Sequence, residues 1–476
     1  MLRNKIKDIA KDSSIFGLSK VLGQAVSFFL IPLYTNYLTP EDYGILSILG
    51  LASVSFGIFM TFGIDSATYR YVGMSKDEVV QKKYVTNAQI LTIISILFFL
   101  LILILFANPI NTFTLDSTSP ILYLFLSIGN AVFSSISSIP RAFLRINRKV
   151  KIISISSLIN VLASVGSTLI FVVVLKYGVV GALLGNLVGT LISTIYLVLF
   201  THVPKFSDYN WNHSKELIYY CLPSLPHQIF AFAIPLYSQW SVKQLLSLND
   251  LGLYAVGMKF TLPLTLVLGM FMQSYAPYKF KILKEDKDPQ KTFSRIMNLF
   301  VIGFGMAVLL ISFFGGDILK LMTAKSYHQA SNYVFYIALI PFAQGLYFMF
   351  SSGLEFAKSP IYRPFISGAG LLTVLLCNNW LISHLGLPGA AISIILSWLV
   401  MAIGNLVYAQ KLYPIKYNWL IIISILISIP ALGYLVNDVL ETTIALKMLI
   451  VFALIFILML FFINSKQTNF ILKKLK

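Results

Sequence analysis

The chain of 476 residues is 57% hydrophobic and only 11% charged, with a formal net charge of +18. A soluble domain carries about 25% charged residues, so this composition excludes a soluble globular protein. The positive charge does not indicate a nucleic-acid-binding protein, because the lysines and arginines lie in short loops between apolar runs, as in membrane proteins whose loops face anionic lipid.

The sequence begins with a basic segment, and a series of long apolar runs follows it. Residues 1–12 combine lysines and an arginine with apolar side chains at helical spacing, which predicts a short amphipathic helix at the membrane interface. The next apolar run is too long for a cleavable signal and lacks a small-residue cleavage motif, so we expect it to be retained. Comparable runs recur and predict an all-α integral membrane protein with about fourteen transmembrane helices. Their predicted bounds are 13–38, 43–65, 84–108, 119–140, 152–176, 178–201, 217–243, 252–276, 293–315, 331–353, 364–384, 386–409, 416–436 and 445–463.

The distribution of basic residues predicts the orientation of these helices. Lysines and arginines are concentrated in alternate loops, and the basic N-terminal segment lies on the same side as those loops. Basic loops of membrane proteins normally face the cytoplasm. We therefore expect a multi-pass protein with both termini in the cytoplasm.

An internal repeat indicates that the chain has two similar halves. The sequence Ile31–Tyr34 (IPLY) returns as Ile234–Tyr237, and the turn at Gly44 returns at Gly252, about 200 residues later. An even number of helices, about six, separates the two copies, so both halves have the same orientation in the membrane. This pattern predicts two pseudo-symmetric lobes around a cleft. The predicted segments are an amphipathic segment 1–12, an N-lobe 13–201, a cytoplasmic linker 202–216, a C-lobe 217–409, and two further helices with a basic tail 410–476.

Two lysines fall inside predicted transmembrane helices. An ionised lysine at mid-bilayer costs about 2.5–3.5 kcal/mol, so Lys20 and Lys259 are expected to face a water-filled cavity. Lys20 shares one helical face with Gln24, one turn further on. We predict that these three residues bind an anionic group of a substrate between the lobes. The alternative is that each lysine reaches the membrane interface or pairs with a carboxylate.

Two further charged residues lie near the cytoplasmic mouth of the predicted cleft. Asp65 is expected to end the second span, where it is a candidate partner of Lys20, a candidate proton-coupling group, or an interfacial carboxylate. Arg70 follows at the mouth and is a candidate contact for a diphosphate. The preference of basic residues for the cytoplasmic side explains Arg70 as well.

The seventh predicted helix is rich in proline. Pro223, Pro226 and Pro235 each remove a backbone hydrogen bond, so we expect them to bend or break the helix and to form a hinge between the lobes. His227 lies beside them and titrates near neutral pH, which makes it a candidate proton-coupling group in the cavity. The alternative is that His227 is a packing residue.

The sequence offers no support for catalysis or metal binding. It contains no HExxH, CxxC or GxxxxGK[ST] motif and no evident set of serine, histidine and aspartate. Cys221 and Cys377 both lie in apolar runs and are interpreted as core residues. We therefore expect no catalytic residues, no metal and no cofactor.

Motifs at the start of the chain resemble a known family. Gly17–Gly23 (GLSKVLG), Ile31–Tyr34 and Asn36–Gly44 (NYLTPEDYG) are similar to the first helices of Wzx-type polysaccharide flippases. These flippases belong to the multidrug/oligosaccharidyl-lipid/polysaccharide (MOP) exporter superfamily. The pattern of two lobes followed by two helices extends the resemblance to the whole chain, and it implies a MATE- or MurJ-like fold.

The resemblance also implies a function. Wzx-type proteins are taken to flip an undecaprenyl-diphosphate-linked oligosaccharide, such as an O-antigen or capsule repeat unit, across the bacterial cytoplasmic membrane by alternating access. The implied partners are this lipid-linked oligosaccharide, membrane lipids, and polysaccharide polymerase or assembly proteins, with no nucleic acid. The cationic cavity of the family fits Lys20 and Lys259.

Three alternative functions stay open. Lipid II flippases of the MurJ type share part of the motif Ser19–Gly23, but they carry arginine at the position of Lys20 and a following Arg-Asp pair that this chain lacks. A cation-coupled multidrug-type exporter would use Asp65 or His227 as its coupling site. A membrane glycosyltransferase or polymerase would need a large external loop or a carboxylate cluster, and neither is evident.

Overall fold

The computed structural model describes residues 21–436, apart from residues 22, 27, 29, 76, 116–118, 202–203, 205–207 and 357–361. All regular elements of this described part are helices. Those of the first half are α1 (Ile31–Tyr37), α2 (Pro40–Thr61), α3 (Ile64–Met74), α4 (Glu78–Leu105), α5 (Ala107–Thr114), α6 (Ile121–Ile146), α7 (Val150–Thr168), a π-helical turn (Leu169–Val174) and α8 (Gly178–Leu199). Those of the second half are α9 (Trp211–Cys221), a 3-10 turn (Leu222–Ser224), α10 (Leu225–Leu245), α11 (Leu248–Phe260), α12 (Leu262–Glu285), α13 (Pro289–Met322), a 3-10 segment (Lys325–Tyr333), α14 (Val334–Phe350), α15 (Ser352–Phe356), α16 (Arg363–Leu385), α17 (Leu387–Leu412) and α18 (Trp419–Tyr434).

The long apolar helices confirm an all-α membrane fold. Nine described helices are long and apolar enough to cross a membrane, and the number rises to 11 if each of two bent helix pairs counts as one span. These helices coincide with the second to twelfth predicted spans, and the shorter apolar helix α18 coincides with the thirteenth. The start of the first span, including Lys20, and the whole of the fourteenth lie outside the described residues.

The second span ends four residues earlier than predicted. Helix α2 ends at Thr61, and Phe62 and Gly63 then adopt left-handed backbone angles, with φ of 52° and 69°. Glycine tolerates this conformation because it has no Cβ, so the chain breaks here and restarts as α3. The prediction that Asp65 ends the second span is therefore wrong, since Asp65 lies in the first turn of α3.

The seventh and eighth spans are each bent. Helices α9 and α10 meet at 50° across the 3-10 turn that contains Pro223, and α11 and α12 meet at 47° at Thr261. Pro226 is the second residue of α10, whereas Pro235 lies inside α10, which continues through it. A proline at the start of a helix loses no hydrogen bond that the helix needs. The bend of the seventh helix is thus an observed feature, and its role as a hinge stays a prediction.

The main contact between the two halves is the crossing of α2 and α11. The repeated glycines Gly44 and Gly252 lie at this crossing. A Cβ on Gly44 would overlap the carbonyl oxygen of Leu248, and a Cβ on Gly252 would overlap that of Pro40. The two backbones are therefore in direct contact, which only glycine permits at both positions.

The two crossing helices also begin in the same way. The Thr39 hydroxyl accepts a hydrogen bond from the Asp42 amide at 3.2 Å, and the Ser247 hydroxyl accepts one from the Asp250 amide at 3.0 Å. Both caps satisfy amides that a helix N-terminus leaves unpaired. The repeat seen in the sequence thus corresponds to equivalent helix starts that face each other across the junction of the halves.

Candidate substrate cleft between the two halves

Hydrogen bonds from the second half to the first close the cleft at the end where α2 and α11 begin. Tyr327, from the segment between α13 and α14, is fully buried and donates a hydrogen bond of 2.9 Å to the Leu38 carbonyl. Its ring packs edge-to-face on Tyr43, with the centroids 6.1 Å apart. The Trp240 indole of α10 likewise donates to the Phe113 carbonyl of α5 at 3.1 Å. Two side chains of the second half therefore hold backbone carbonyls of the first half at this end, which we call the clasped end.

The middle of the cleft brings together two of the predicted substrate-binding residues. Phe28, in the helical stretch before α1, packs edge-to-face against Phe260 on α11, with the ring centroids 5.3 Å apart. Gln24 lies one turn before Phe28, and its side-chain oxygen is buried without a hydrogen-bond partner among the described residues. Lys259 directly precedes Phe260 and is half-buried. The two polar side chains therefore lie on neighbouring helices at the junction of the halves.

Lys259 has no ion-pair partner in the part of the chain that the structure describes. An apolar position for an ammonium group without a carboxylate is costly unless water or an anion reaches it. This environment agrees with a cavity position for Lys259. Lys20 lies outside the described residues, so its predicted role is not tested.

Sequence reasoning missed a polar contact across the cleft. The Ser47 hydroxyl of α2 donates a hydrogen bond of 2.8 Å to the side-chain oxygen of Gln239 on α10, which is 5% exposed. A buried glutamine needs a partner, because an unsatisfied amide costs free energy. Gln239 could have been flagged as a polar residue in an apolar run, as Gln24 was.

Arg70 and Asp65 lie towards the opposite end, which we call the arginine end. The Arg70 guanidinium is exposed and stacks over the Tyr220 ring of α9, 4.8 Å from its centroid. The Asp65 carboxylate accepts hydrogen bonds from backbone amides at the start of α3, and no described cation lies within ion-pair distance of it. The structure therefore places Asp65 as an acidic residue in the first turn of α3, where a negative charge favours the helix N-terminus, while a pairing with Lys20 is untested.

Two more arginines lie at the arginine end. Arg141 is an exposed residue of α6 whose guanidinium lies 3.4 Å from the Ser137 hydroxyl and faces Tyr69. Arg363 begins α16, and its backbone interacts with the His227 ring. Sequence reasoning assigned both arginines to cytoplasmic loops. They were not selected as site residues because a basic residue at the end of a predicted span looks like any other basic loop residue in the sequence.

The bent seventh span is shared between the two halves. Its first part, α9, packs against α3 and α4, whereas its second part, α10, packs against α16 and α17. Asn87 of α4 is fully buried and holds the start of α9 in place. Its side-chain oxygen accepts hydrogen bonds of 3.0 Å from the Asn210 amide and from the Ser214 hydroxyl. A movement of one half against the other must therefore act on the bend.

Replacing Asn87 with alanine is expected to destabilise this attachment. The change leaves the Asn210 amide and the Ser214 hydroxyl without their acceptor, and the unsatisfied hydroxyl of the buried Ser214 alone costs about 1–3 kcal/mol. We expect a lower unfolding temperature of the purified protein in detergent and faster proteolysis before α9. Asn186→Ala, at an exposed helical position, is the matched control and should leave both measurements unchanged.

Metal chemistry has no visible basis in the cleft. Within the described ranges, no group of three histidine, cysteine, aspartate or glutamate side chains could hold a metal ion. Cys221 is buried and its thiol lies 3.1 Å from the Gly63 carbonyl, so it packs the junction of α9 with the first half.

Comparison with known proteins gives the family. The sequence profile of the family described as "Polysaccharide biosynthesis protein" matches residues 9–283, which is more than half of the chain. The chain belongs to this family. No curated protein shows significant sequence similarity to it.

Solved structures show the fold of this polysaccharide biosynthesis protein. It is similar to the lipid II flippase MurJ in an inward closed conformation, with a TM-score of 0.70 at 15% identity, covering 94% of this chain and 98% of that one. It is also similar to an inward-facing multidrug resistance MATE transporter of the MOP superfamily, with a TM-score of 0.62 at 14% identity, covering 82% and 94%. A variant of the Vibrio cholerae MATE transporter VcmN gives 0.61 at 15% identity, covering 85% and 96%.

The family and the fold confirm the resemblance seen in the sequence. The chain belongs to a family of polysaccharide biosynthesis proteins and has the all-α fold of the MATE and MurJ structures, so the fold predicted from the sequence is confirmed. The residues that bind the cargo, the hinge, the bounds of the lobes and the side of the membrane that each end faces stay predictions.

Proposed function

We propose that this protein flips an undecaprenyl-diphosphate-linked oligosaccharide across the bacterial cytoplasmic membrane. The observation that carries the proposal is Lys259, a half-buried ammonium group at the junction of the lobes without a described carboxylate partner. A diphosphate supplies the negative charge that such a position lacks. Gln24 and the predicted Lys20 on the neighbouring helix add a hydrogen-bonding group and a second cation.

The arginine end supplies a way in for the cargo. On the predicted topology this end faces the cytoplasm, where the lipid-linked oligosaccharide is made. Arg70 and Arg141 of the first lobe and Arg363 of the second are exposed there. Clustered cations raise the local concentration of an anionic headgroup, and guanidinium groups bind phosphate in bidentate fashion. We infer that a diphosphate meets these arginines before it reaches Lys259.

The clasped end supplies the way out. On the same topology it faces the exterior, and it is held shut by the glycine crossing and by the contacts of Tyr327 and Trp240. Release of the cargo requires these contacts to break while the arginine end closes. The bend between α9 and α10, which pack on different lobes, is where the chain absorbs this movement.

Deleting the gene tests the proposed function. We expect loss of one surface polysaccharide and accumulation in the membrane of an undecaprenyl-diphosphate oligosaccharide whose sugars face the cytoplasm. Mass spectrometry of the extracted lipids, with and without enzymatic trimming of sugars in sealed inside-out vesicles, measures both. Unchanged lipids together with increased sensitivity to cationic drugs would instead support a multidrug-type exporter, and accumulated lipid II would support the alternative flippase.

A further inference from the structure

An aromatic groove separates α12 from α13. It has a volume of about 620 Å³, and its walls are one stripe of each helix. From α12 come Val267, Phe271, Ser274, Tyr275 and Tyr278, and from α13 come Ile296, Leu299, Phe300, Gly303 and Phe304. The eighth span bends by 47° at Thr261, directly before α12.

Gly303 leaves the groove open in the middle. A Cβ built on Gly303 would meet no atom within 4 Å, and Gly303 is exposed. The rings around it are already packed together, with Phe271 and Phe300 at 5.1 Å and Phe300 and Phe304 at 5.3 Å between centroids. Because these rings already pack against one another, they do not fill the space beside Gly303. A flexible apolar chain is the kind of ligand that fits this space.

The additional helix α18 lies on the other side of α13. A Cβ on Gly305 would meet the side chains of Ile429 and Ile425 of α18. Gly303 and Gly305 are two positions apart, about 200° around a helix, so they lie on opposite faces. The groove is thus not the surface on which α18 packs.

Both walls of the groove end in a cation at the arginine end. Lys279 continues the stripe of α12 one turn beyond Tyr275, is 5% exposed, and holds its ammonium group 5.8 Å from the centre of that ring. Arg295 continues the stripe of α13 one turn before Leu299. An apolar trough that ends in two cations matches a molecule with a hydrocarbon chain and an anionic headgroup.

We propose that this groove binds the isoprenoid chain of the lipid-linked cargo. The inference rests on the proposed function and adds to it a place for the chain while the saccharide moves through the cleft. The branched methyl groups of an isoprenoid fit between stacked rings, and the cations hold the first phosphate at the headgroup level. Bulk acyl chains and the C-terminal segment 437–476 are the competing occupants.

Photocrosslinking from the wall of the groove distinguishes these occupants. The full-length protein, with benzoylphenylalanine at Leu299, is placed in nanodiscs of phosphatidylethanolamine and phosphatidylglycerol with a trace of radiolabelled undecaprenyl diphosphate. Leu376 on α16 is 77% exposed and serves as the matched lipid-facing position. We expect about tenfold more isoprenoid captured at Leu299 than at Leu376, which corresponds to about 1.4 kcal/mol of preferential binding.

A variant that fills the groove provides a second test of the proposal. Gly303→Leu should reduce the capture at Leu299, whereas Gly166→Leu, at another helical glycine with no atom near its Cβ, should not. Equal capture at both positions, capture of phospholipid in proportion to its abundance, crosslinks to residues 437–476, or no effect of Gly303→Leu would each overturn the proposal. None of these results changes the lipids that accumulate in the deletion strain, so the proposed function is tested independently.

Discussion

Substituting Gly252 with alanine is expected to open the clasped end of the cleft. The new Cβ would overlap the Pro40 carbonyl oxygen, so α2 and α11 must separate. Overpacking of this kind costs about 1–3 kcal/mol, which on a two-state equilibrium corresponds to a shift of about 5–150-fold. The substitution destabilises the conformation in which these helices touch and leaves the stability of the conformation in which they separate unchanged.

Cysteine accessibility measures this shift. Gln239 lies behind the clasped end and is 5% exposed, so Gln239→Cys, with Cys221 and Cys377 replaced by serine, reports on opening. A membrane-impermeant maleimide added outside the cell should label the Gly252→Ala protein much faster than its parent. Gly50→Ala on α2, where a Cβ meets no atom within 4 Å, should not change the rate. Unchanged labelling of a normally inserted Gly252→Ala protein would contradict the proposed gate.

Replacing Lys259 with methionine is expected to reduce export strongly without preventing insertion. Methionine keeps the length and apolar stem of the side chain and removes only the charge. A hydrogen bond to a charged group contributes about 1.5–3 kcal/mol, so we expect the level of surface polysaccharide to fall by roughly tenfold to a hundredfold. Lys259→Arg keeps the charge and should retain most of the export.

The control for Lys259 is a lysine outside the cleft. Lys325, an exposed residue at the start of the 3-10 segment, can be changed to methionine with the same loss of charge. Export that is normal in the Lys259→Met strain, or equally reduced in the Lys325→Met strain, would exclude a specific role for the buried ammonium. Lys20→Met should behave like Lys259→Met if the predicted pair binds one diphosphate.

The repeat made the central architecture predictable from the sequence. Gly44 and Gly252 mark equivalent turns in two copies, and a chain with two like-oriented copies places equivalent elements around a common axis. The sequence did not reveal that the two glycines touch, because the approach of two helices depends on the packing of both whole lobes. The breaks after Thr61 and at Thr261 were also missed, since apolar periodicity continues through both.

The candidate site was predictable only where a polar residue interrupts an apolar run. Gln24, Lys259 and His227 stand out against their neighbours for this reason. Arg141 and Arg363 do not, because residues at the end of a span look the same in sequence whether they face lipid headgroups or a cleft. Gln239 also interrupts an apolar run but was not selected, and the partners of Gln239 and Asn87 could not be predicted because they lie on helices that are distant in the chain.

Transport by the purified protein tests the central claim most directly. The protein is reconstituted as the only protein in liposomes that carry a fluorescent undecaprenyl-diphosphate oligosaccharide, and quenching by an impermeant reagent reports its movement between leaflets. We predict fast movement with the unmodified protein and movement that is roughly tenfold to a hundredfold slower with Lys259→Met. Equal rates for the two proteins would contradict a cargo site at Lys259, and a rate no faster than that of empty liposomes for the unmodified protein would contradict the flippase itself.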